Sequence, residues 1–450
     1  MLAIEDPDHG IHIQIIYVFE GPAPTQVEFR ETVEQRLLGA PRFRQRIARV
    51  PFNLGRPAWV DDESFELDYH LRRTALPAPG GEAELRALSN RLLQQQLDLR
   101  RPLWEMWLVE GIADDRFAVI HRVHHCMVDG VSTQDISGMM FSPTPEEERP
   151  PVDSWSPEGT PTQAELLVSG LADLAVHSRR TVSDLLRASR TPSILADGVL
   201  EGVRTLGTLT GFSGAVPETL INRPGGARRR TDWVRLPLED LRITKNAYET
   251  TLNNVVLAAS AGALRRYFER QGEPLPEGMR AMVPVSVRLD PEKGALGNQV
   301  SAIYPVLPIA HADPGERVAA VTAEVDRLRG SQGVAMERLM NLGGFAPPTI
   351  MEQVQRLLLL NPGAHNMVIS NVPGPSTPLY LRGRRLLEVL PCGATMPRHG
   401  LNMVMISYCG TLFCAVGSDP DAVPDAAGFA TDLSESFAEL LADATRGAAR

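Results

Sequence analysis

The chain has 450 residues, 43% hydrophobic and 22% charged, with a formal net charge of −10. That length suits two domains of roughly 150–200 residues rather than one simple core, and the composition is ordinary for a globular protein. The acidic balance, with no long basic run to offset it, excludes a general nucleic-acid binder.

Lysine occurs only at Lys245 and Lys293, so almost every positive charge is arginine. Cys126, Cys392, Cys409 and Cys414 form no C-x-x-C pair, which argues against a zinc ribbon or redox motif and fits a reducing compartment. The start, Met1-Leu2-Ala3-Ile4-Glu5-Asp6-Pro7-Asp8, lacks the basic and apolar regions of a signal peptide. No apolar stretch approaches the roughly 18 residues a membrane span needs. The expectation is a cytoplasmic protein, with peripheral attachment to the inner membrane face left open.

In chain order, residues 11–20 alternate as a strand, and Phe29, Val33 and Leu37 mark a helix over 25–38. Leu85, Leu88 and Leu92 mark a second helix. Arg101-Pro102 breaks that pattern, and Leu103-Trp104-Glu105-Met106-Trp107-Leu108-Val109 opens a strand. Across the turn at 111–115 it pairs with 117–124 as an antiparallel hairpin. Pro- and Glu-rich residues 142–162 read as a linker, and 163–210 as weakly amphipathic helices carrying Arg179, Arg180, Arg187, Arg190 and Arg204. Pro224-Gly225-Gly226 marks a second break. Beyond it come an apolar helix at 250–270, strands at 280–288 and 299–308, a helix at 314–329, several strands within 366–417 and a terminal helix at 425–445. The predicted organisation is α/β, with an N-terminal half (1–141), a linker and helical crossover (142–230) and a C-terminal half (231–450).

The hairpin leads into Val123-His124-His125-Cys126-Met127-Val128-Asp129-Gly130. If the strand persists this far, His124 and His125 point to opposite faces and cannot share one job. An imidazole titrating near neutrality suits removal of a hydroxyl proton during acyl transfer, so His125 is the candidate base. Two plainer readings stand beside it: a structural strand-end histidine, and a metal site formed by His121, His125 and Asp129. Asp129, in a turn beside Gly130, reads as a brace whose buried carboxylate requires a cationic partner. Asn253 and Asn298 are candidates for orienting substrate or an oxyanion, or for satisfying backbone groups.

The His124-His125-x-x-x-Asp129-Gly130 stretch resembles the signature of the CoA-dependent acyltransferase superfamily, which includes chloramphenicol acetyltransferase and peptide-synthetase condensation domains. Leu97-Asp98 followed by Pro102-Leu103-Trp104-Glu105 resembles the Pro-Leu-Trp motif of bacterial wax ester synthase/diacylglycerol acyltransferases. Asn222 with Arg228-Arg229, residues 252–258, Pro284-Val285-Ser286-Val287-Arg288, Gly297-Asn298 and Ser370-Asn371-Val372-Pro373-Gly374-Pro375 are similar to the same family, so the resemblance spans nearly the whole chain. It departs in two places. Asn253-Asn254 stands where relatives usually have Asn-Asp, and relatives usually carry a further segment before the equivalent of Ile4-Glu5-Asp6.

The resemblance implies two chloramphenicol-acetyltransferase-like domains joined by a helical linker, with an active-site tunnel between them. His125 would be the general base, with His124, Asp129 and Gly130 supporting it. Asp129 would pair with an arginine of the second domain, for which Arg288 is the candidate. Pro102, Leu103, Trp104, Asn253 and Asn298 would be substrate or structural residues. The implied reaction passes a fatty acyl group from acyl-CoA to diacylglycerol or a long-chain alcohol. No metal or cofactor is expected, acyl-CoA being substrate, and a membrane or lipid-droplet surface is a further expected partner. Two other classes stay open: amide-forming condensation on carrier-bound substrates, and a lipid-binding relative with impaired catalysis.

Overall fold

The computed structural model describes residue 5 and residues 10–37, 40–51, 57–128, 133–146, 155–170, 172, 216–286, 300–343, 364–393, 396 and 398–448. Strand β1 (His12–Glu20) leads to helix α1 (Gln26–Arg36). The helix starts where the Thr25 hydroxyl accepts the Glu28 amide and the Glu28 carboxylate accepts the Thr25 amide. This reciprocal pair satisfies two amides that the first turn would otherwise leave open. A 3-10 turn (Pro41–Arg44), the hairpin β2 (Gln45–Ala48) and β3 (Ala58–Asp61), helix α2 (Leu67–His70), β4 (Leu71–Ala75) and α3 (Glu82–Leu93) follow. The expected hairpin is β5 (Trp104–Ile112) and β6 (Arg116–His124), and it runs into α4 (His125–Val128) and α5 (Thr133–Met140).

The second half opens with β7 (Arg230–Pro237), α6 (Leu238–Ala247) and α7 (Leu252–Gln271). It continues through β8 (Ala281–Ser286), β9 (Val300–Ile303), α8 (Pro314–Gly343), β10 (Met367–Val372), β11 (Tyr380–Leu381) and β12 (Arg384–Cys392). The hairpin β13 (Leu401–Tyr408) and β14 (Thr411–Ser418) and the helix α9 (Ala426–Ala448) complete it. Helix α8 outruns the expected 314–329, continuing through Gly330 and Gly333, since an isolated glycine weakens a helix without having to end it. Of the expected helices at 163–210, residues 163–170 are helical, with Leu166 buried against Ala48 and Val60. The five arginines singled out in that stretch lie outside the described residues.

Two six-stranded sheets carry the molecule, in the orders β11-β12-β1-β6-β5-β4 and β7-β14-β13-β10-β8-β9. Strand β12 belongs by sequence to the C-terminal half, yet it pairs antiparallel with β1, Gln14 facing Cys392 and Tyr17 facing Val389. The sheet boundary therefore does not follow the chain boundary at 231. Alternation decides which core each residue of the second sheet joins. Phe413 and Ala415 of β14, Trp233 of β7 and Ile406 of β13 belong to the core around the first sheet. Their neighbours Leu412, Cys414, Val416, Val234 and Met405 belong to the core under α7, α8 and α9. Two side-chain links tie the sheets further: Trp233 Nε1 donates to Pro391 O at 3.0 Å, and Arg235 binds Glu388 at 2.7 Å.

Helix α7 is apolar on almost all sides because it is buried on almost all sides, residues 254–264 having no exposed member. Gly262 permits its closest contact. A Cβ there would stand 2.2 Å from Ser436 Oγ of α9 and 3.0 Å from the Arg317 guanidinium of α8. Arg317 is itself fixed by Glu439 at 2.8 Å, so the neighbours have little room to yield. Gly262→Ala is expected to destabilise the protein by about 1–3 kcal/mol, read as a lowered chemical-denaturation midpoint at unchanged slope.

Burial holds His12, His70, His121 and His365 as neutral groups. Burial lowers His12, His121 and His365 to about 3 and His70 to about 4, with the Arg122 charge adding to the effect at His12. These folded values lie below the unfolded value near 6.5, so the unfolded chain takes up protons first. The stability they carry is complete above pH 6.5 and drains as pH falls toward 3. Each group is expected to contribute a slope of up to about 1.4 kcal/mol per pH unit in that window. Denaturation followed from pH 7.5 to 4.5 measures it, and His121→Phe should flatten the curve.

Candidate active site

The double histidine sits where the ladder of β6 runs out. The His124 amide donates to Leu103 O and the His125 amide to Ile11 O, both at 2.9 Å. Successive amides thus reach opposite neighbours, as an extended chain requires. Strands β1 and β5 begin only one residue later, at His12 and Trp104, and beyond them β6 has nothing to pair with. His125 therefore opens helix α4, rather than continuing the strand as the alternation suggested.

The two rings differ in what surrounds them. His124 is 1% exposed and both its ring nitrogens are engaged. Its Nδ1 lies 3.2 Å from the Cys126 amide, which donates to it, and 2.9 Å from Cys126 Sγ. The remaining proton therefore sits on Nε2, facing the Glu5 carboxylate at 3.3 Å. His124 clamps the first turn of α4 from inside. His125 is only half-buried, and it is the member of the pair with solvent access.

Behind His124 lies a polar layer between the sheet and α3. His12 is its ladder partner across β1 and donates from Nε2 to Leu93 O at 2.9 Å. Arg122 donates to Glu105 at 2.9 Å and to Gln95 O, and Trp107 Nε1 donates to Glu105 at 3.2 Å. Gln14 donates to Ser89 Oγ at 2.6 Å. Burial pulls the Arg122 guanidinium below its ordinary range, while Glu105 opposes that. A buried pair of this kind adds little net stability, but losing one partner strands a charge at a cost of about 3–5 kcal/mol. Glu5, His12, Gln14, Glu105 and Arg122 were not singled out from the sequence. A signal exists, because polar residues recur at alternate positions of β1 (His12, Gln14) and β6 (Arg122, His124) inside otherwise apolar strands.

The Pro-Leu-Trp motif lies inside the fold. Pro102, Leu103 and Trp104 are all buried; Leu103 supplies the carbonyl that holds His124. Trp104 Nε1 donates to Phe43 O at 2.8 Å, and its ring stacks on His70 at 4.5 Å. Asn253 is half-buried in the first turn of α7. Asn254 is fully inside and donates from Nδ2 to the Thr250 and Thr322 hydroxyls at 3.0 and 3.4 Å. Asn222 closes a knot by donating to Asn366 O and Arg398 O and accepting from Asn366 Nδ2. In Ser370-Asn371-Val372-Pro373-Gly374-Pro375 only glycine fits at 374, since a Cβ would stand 1.9 Å from Ser407 O. Val372–Pro375, Ser137, Leu379, Leu386, Val389, Ile406 and Tyr408 line a mainly apolar cleft where the two sheets meet. Ser137 is held at its edge by Tyr17 at 2.9 Å.

Asp129, Gly130, Arg288 and Asn298, and with them the proposed Asp129–Arg288 pair, lie outside the described residues. His121, offered as a metal ligand, is buried against Phe43 in the core. Among the described residues no group of three or more His, Cys, Asp or Glu side chains could hold a metal. Nor is any described helix long and apolar enough to cross a membrane.

Known proteins share this architecture. The family profile described as wax ester synthase/diacylglycerol acyltransferase catalytic domain matches residues 1–256, and that of the WS/DGAT C-terminal domain matches 296–441. A Mycobacterium tuberculosis protein named a probable diacylglycerol O-acyltransferase is 32% identical, over 99% of this chain and 95% of its own length. The solved wax ester synthase/diacylglycerol acyltransferase from Marinobacter aquaeolei superposes with a TM-score of 0.68 at 26% identity, over 99% of this chain and 97% of that one. A starter condensation domain of rhizomide synthetase, solved with C8-CoA, gives a TM-score of 0.58 at 15% identity over 99% and 92%, a likeness of fold alone. By its two matched domains and its full-length relatives, the chain belongs to the wax ester synthase/diacylglycerol acyltransferase family and is an acyltransferase.

Proposed function

We propose that the chain passes a fatty acyl group from acyl-CoA to the hydroxyl of diacylglycerol or a long-chain alcohol, with His125 as general base. One observation carries the choice of base. His124 is fully buried, its Nδ1 facing Cys126 and its Nε2 facing Glu5, whereas His125 is half-buried at the strand-to-helix junction, where an acceptor hydroxyl can reach it. His125 takes the hydroxyl proton as the oxygen attacks the thioester carbonyl. The tetrahedral oxyanion collapses, and the departing CoA sulfur receives the proton from His125. One base and a positioned acceptor suffice, so the reaction needs no acyl-enzyme and no resident cofactor.

Asp129 and Gly130 keep their proposed part in holding the turn, with Arg288 as the cation for Asp129 and Asn298 as a candidate oxyanion donor. Lipid acceptors reside in membranes or droplets, so the working contact with that surface is proposed to be peripheral.

The test is acyl transfer from radiolabelled acyl-CoA to diacylglycerol and, separately, to hexadecanol. Wild-type protein should form neutral lipid. His125→Ala should lower the rate about 10²–10⁴-fold with little change in apparent acyl-CoA affinity. Activity retained within a few-fold in His125→Ala would remove the proposed base. Product formed only with an amine acceptor would instead favour a condensation-type reaction.

A further inference from the structure

We propose that Cys126 is a reactive thiol with its own base, a modification site that takes small disulfides and thereby halts the chemistry at the adjoining His125. Three side chains stand in line. Cys126 Sγ lies 2.9 Å from His124 Nδ1, and His124 Nε2 lies 3.3 Å from the Glu5 carboxylate. A thiol, an imidazole that can take its proton and a carboxylate that orients the ring form the arrangement that makes sulfur nucleophilic. Nothing in the acyl transfer proposed above uses this line.

A cation stands nearby. Arg42 lies within electrostatic reach of the sulfur, and its Nη1 is buried with no hydrogen-bond partner among the described residues. The other cysteines offer contrasts within the same molecule. Cys392 and Cys414 are buried, and burial pushes the Cys392 thiol up to about 11 and raises Cys414 as well. Cys409 is half-buried like Cys126, but it lies beside Tyr408 in the β13–β14 turn.

The step balances without an outside oxidant beyond the disulfide itself. His124 takes the Cys126 proton, the sulfur attacks one sulfur of R–S–S–R, and that bond breaks as the Cys126–S–S–R bond forms. The departing thiolate takes the proton from His124. The thiol chemistry is independent of the function proposed above, and only its effect on acyl transfer rests on that reading.

The experiment uses the full chain with 2,2′-dipyridyl disulfide, following pyridine-2-thione release and locating the adduct by peptide mass spectrometry. Cys126 should react about tenfold or more faster than Cys409. In His124→Asn the side-chain oxygen can still accept the Cys126 amide but cannot take the thiol proton. That variant should bring the Cys126 rate down about tenfold, and Glu5→Gln should lower it less. If circular dichroism shows His124→Asn unfolded, the Glu5→Gln rate and the wild-type contrast with Cys409 decide. Acyl transfer should fall in step with Cys126 modification, return with dithiothreitol, and be insensitive to the reagent in Cys126→Ala at whatever rate that variant has. A Cys126 no faster than Cys409, an unchanged rate in folded His124→Asn, or full transfer by the modified protein would each overturn the proposal. Absence of transfer by unmodified protein would instead count against the His125 reading and leave the thiol kinetics to stand on their own.

Discussion

The pairing of β12 with β1 is the constraint on which the rest of the molecule depends. It puts a strand from the C-terminal half into the N-terminal sheet, and the chain then turns back directly into β13 of the other sheet. Because β12 lies against β13 and β14, the second sheet must present an apolar face on both sides. Its strand β14 therefore reads as a continuous hydrophobic run, Leu412-Phe413-Cys414-Ala415-Val416, instead of alternating with polar residues. Two cores result, sharing one sheet as their wall. The cleft lined by Val372–Pro375, Leu386 and Val389 is where that wall and the borrowed strand fail to close on each other.

Much of this was legible in the sequence. The β5–β6 hairpin, the apolar helix α7 and the terminal helix stood out because their patterns run for two turns or more. The short strands β2, β3 and β4 escaped, since four or five residues are too few to separate a period of 2 from one of 3.6. The sharing of β12 was beyond reach for a different reason. Alternation tells which face of a strand is apolar, but not which sheet, some 370 residues away, completes its hydrogen bonds. At the site, resemblance pointed to His125. The division between His125 and His124 became physical only when Glu5 and the Cys126 amide were found on the His124 ring. The Pro-Leu-Trp motif showed a similar gap: its residue types could not tell a substrate contact from a buried brace for His124.

The polar layer beneath the double histidine shows how a rigid site is built from strand ends. A strand terminus normally frays, because its last amides lose their partners. Here the His124 and His125 amides are claimed by Leu103 and Ile11. The His124 ring then holds the start of α4, and His12, Arg122, Glu105 and Gln95 fill the space behind it, joined by hydrogen bonds that leave His12 Nδ1 and Arg122 Nε without partners among the described residues. Low local dielectric makes such a layer strong when complete and costly when incomplete. Its members are accordingly tied to backbone carbonyls of the α3 end as well as to one another.

The loan of β12 also bears on the order in which the protein can be assembled during synthesis. Strand β1 leaves the ribosome well before its outer partner, which lies at 384–392. For most of translation the long apolar edge of β1 therefore has no native strand to cover it, and such edges template pairing between chains. The N-terminal sheet is begun long before β12 is made to finish it. A nascent chain of this architecture has to keep that edge shielded, by a chaperone or by transient non-native contacts, until the other half arrives to close it.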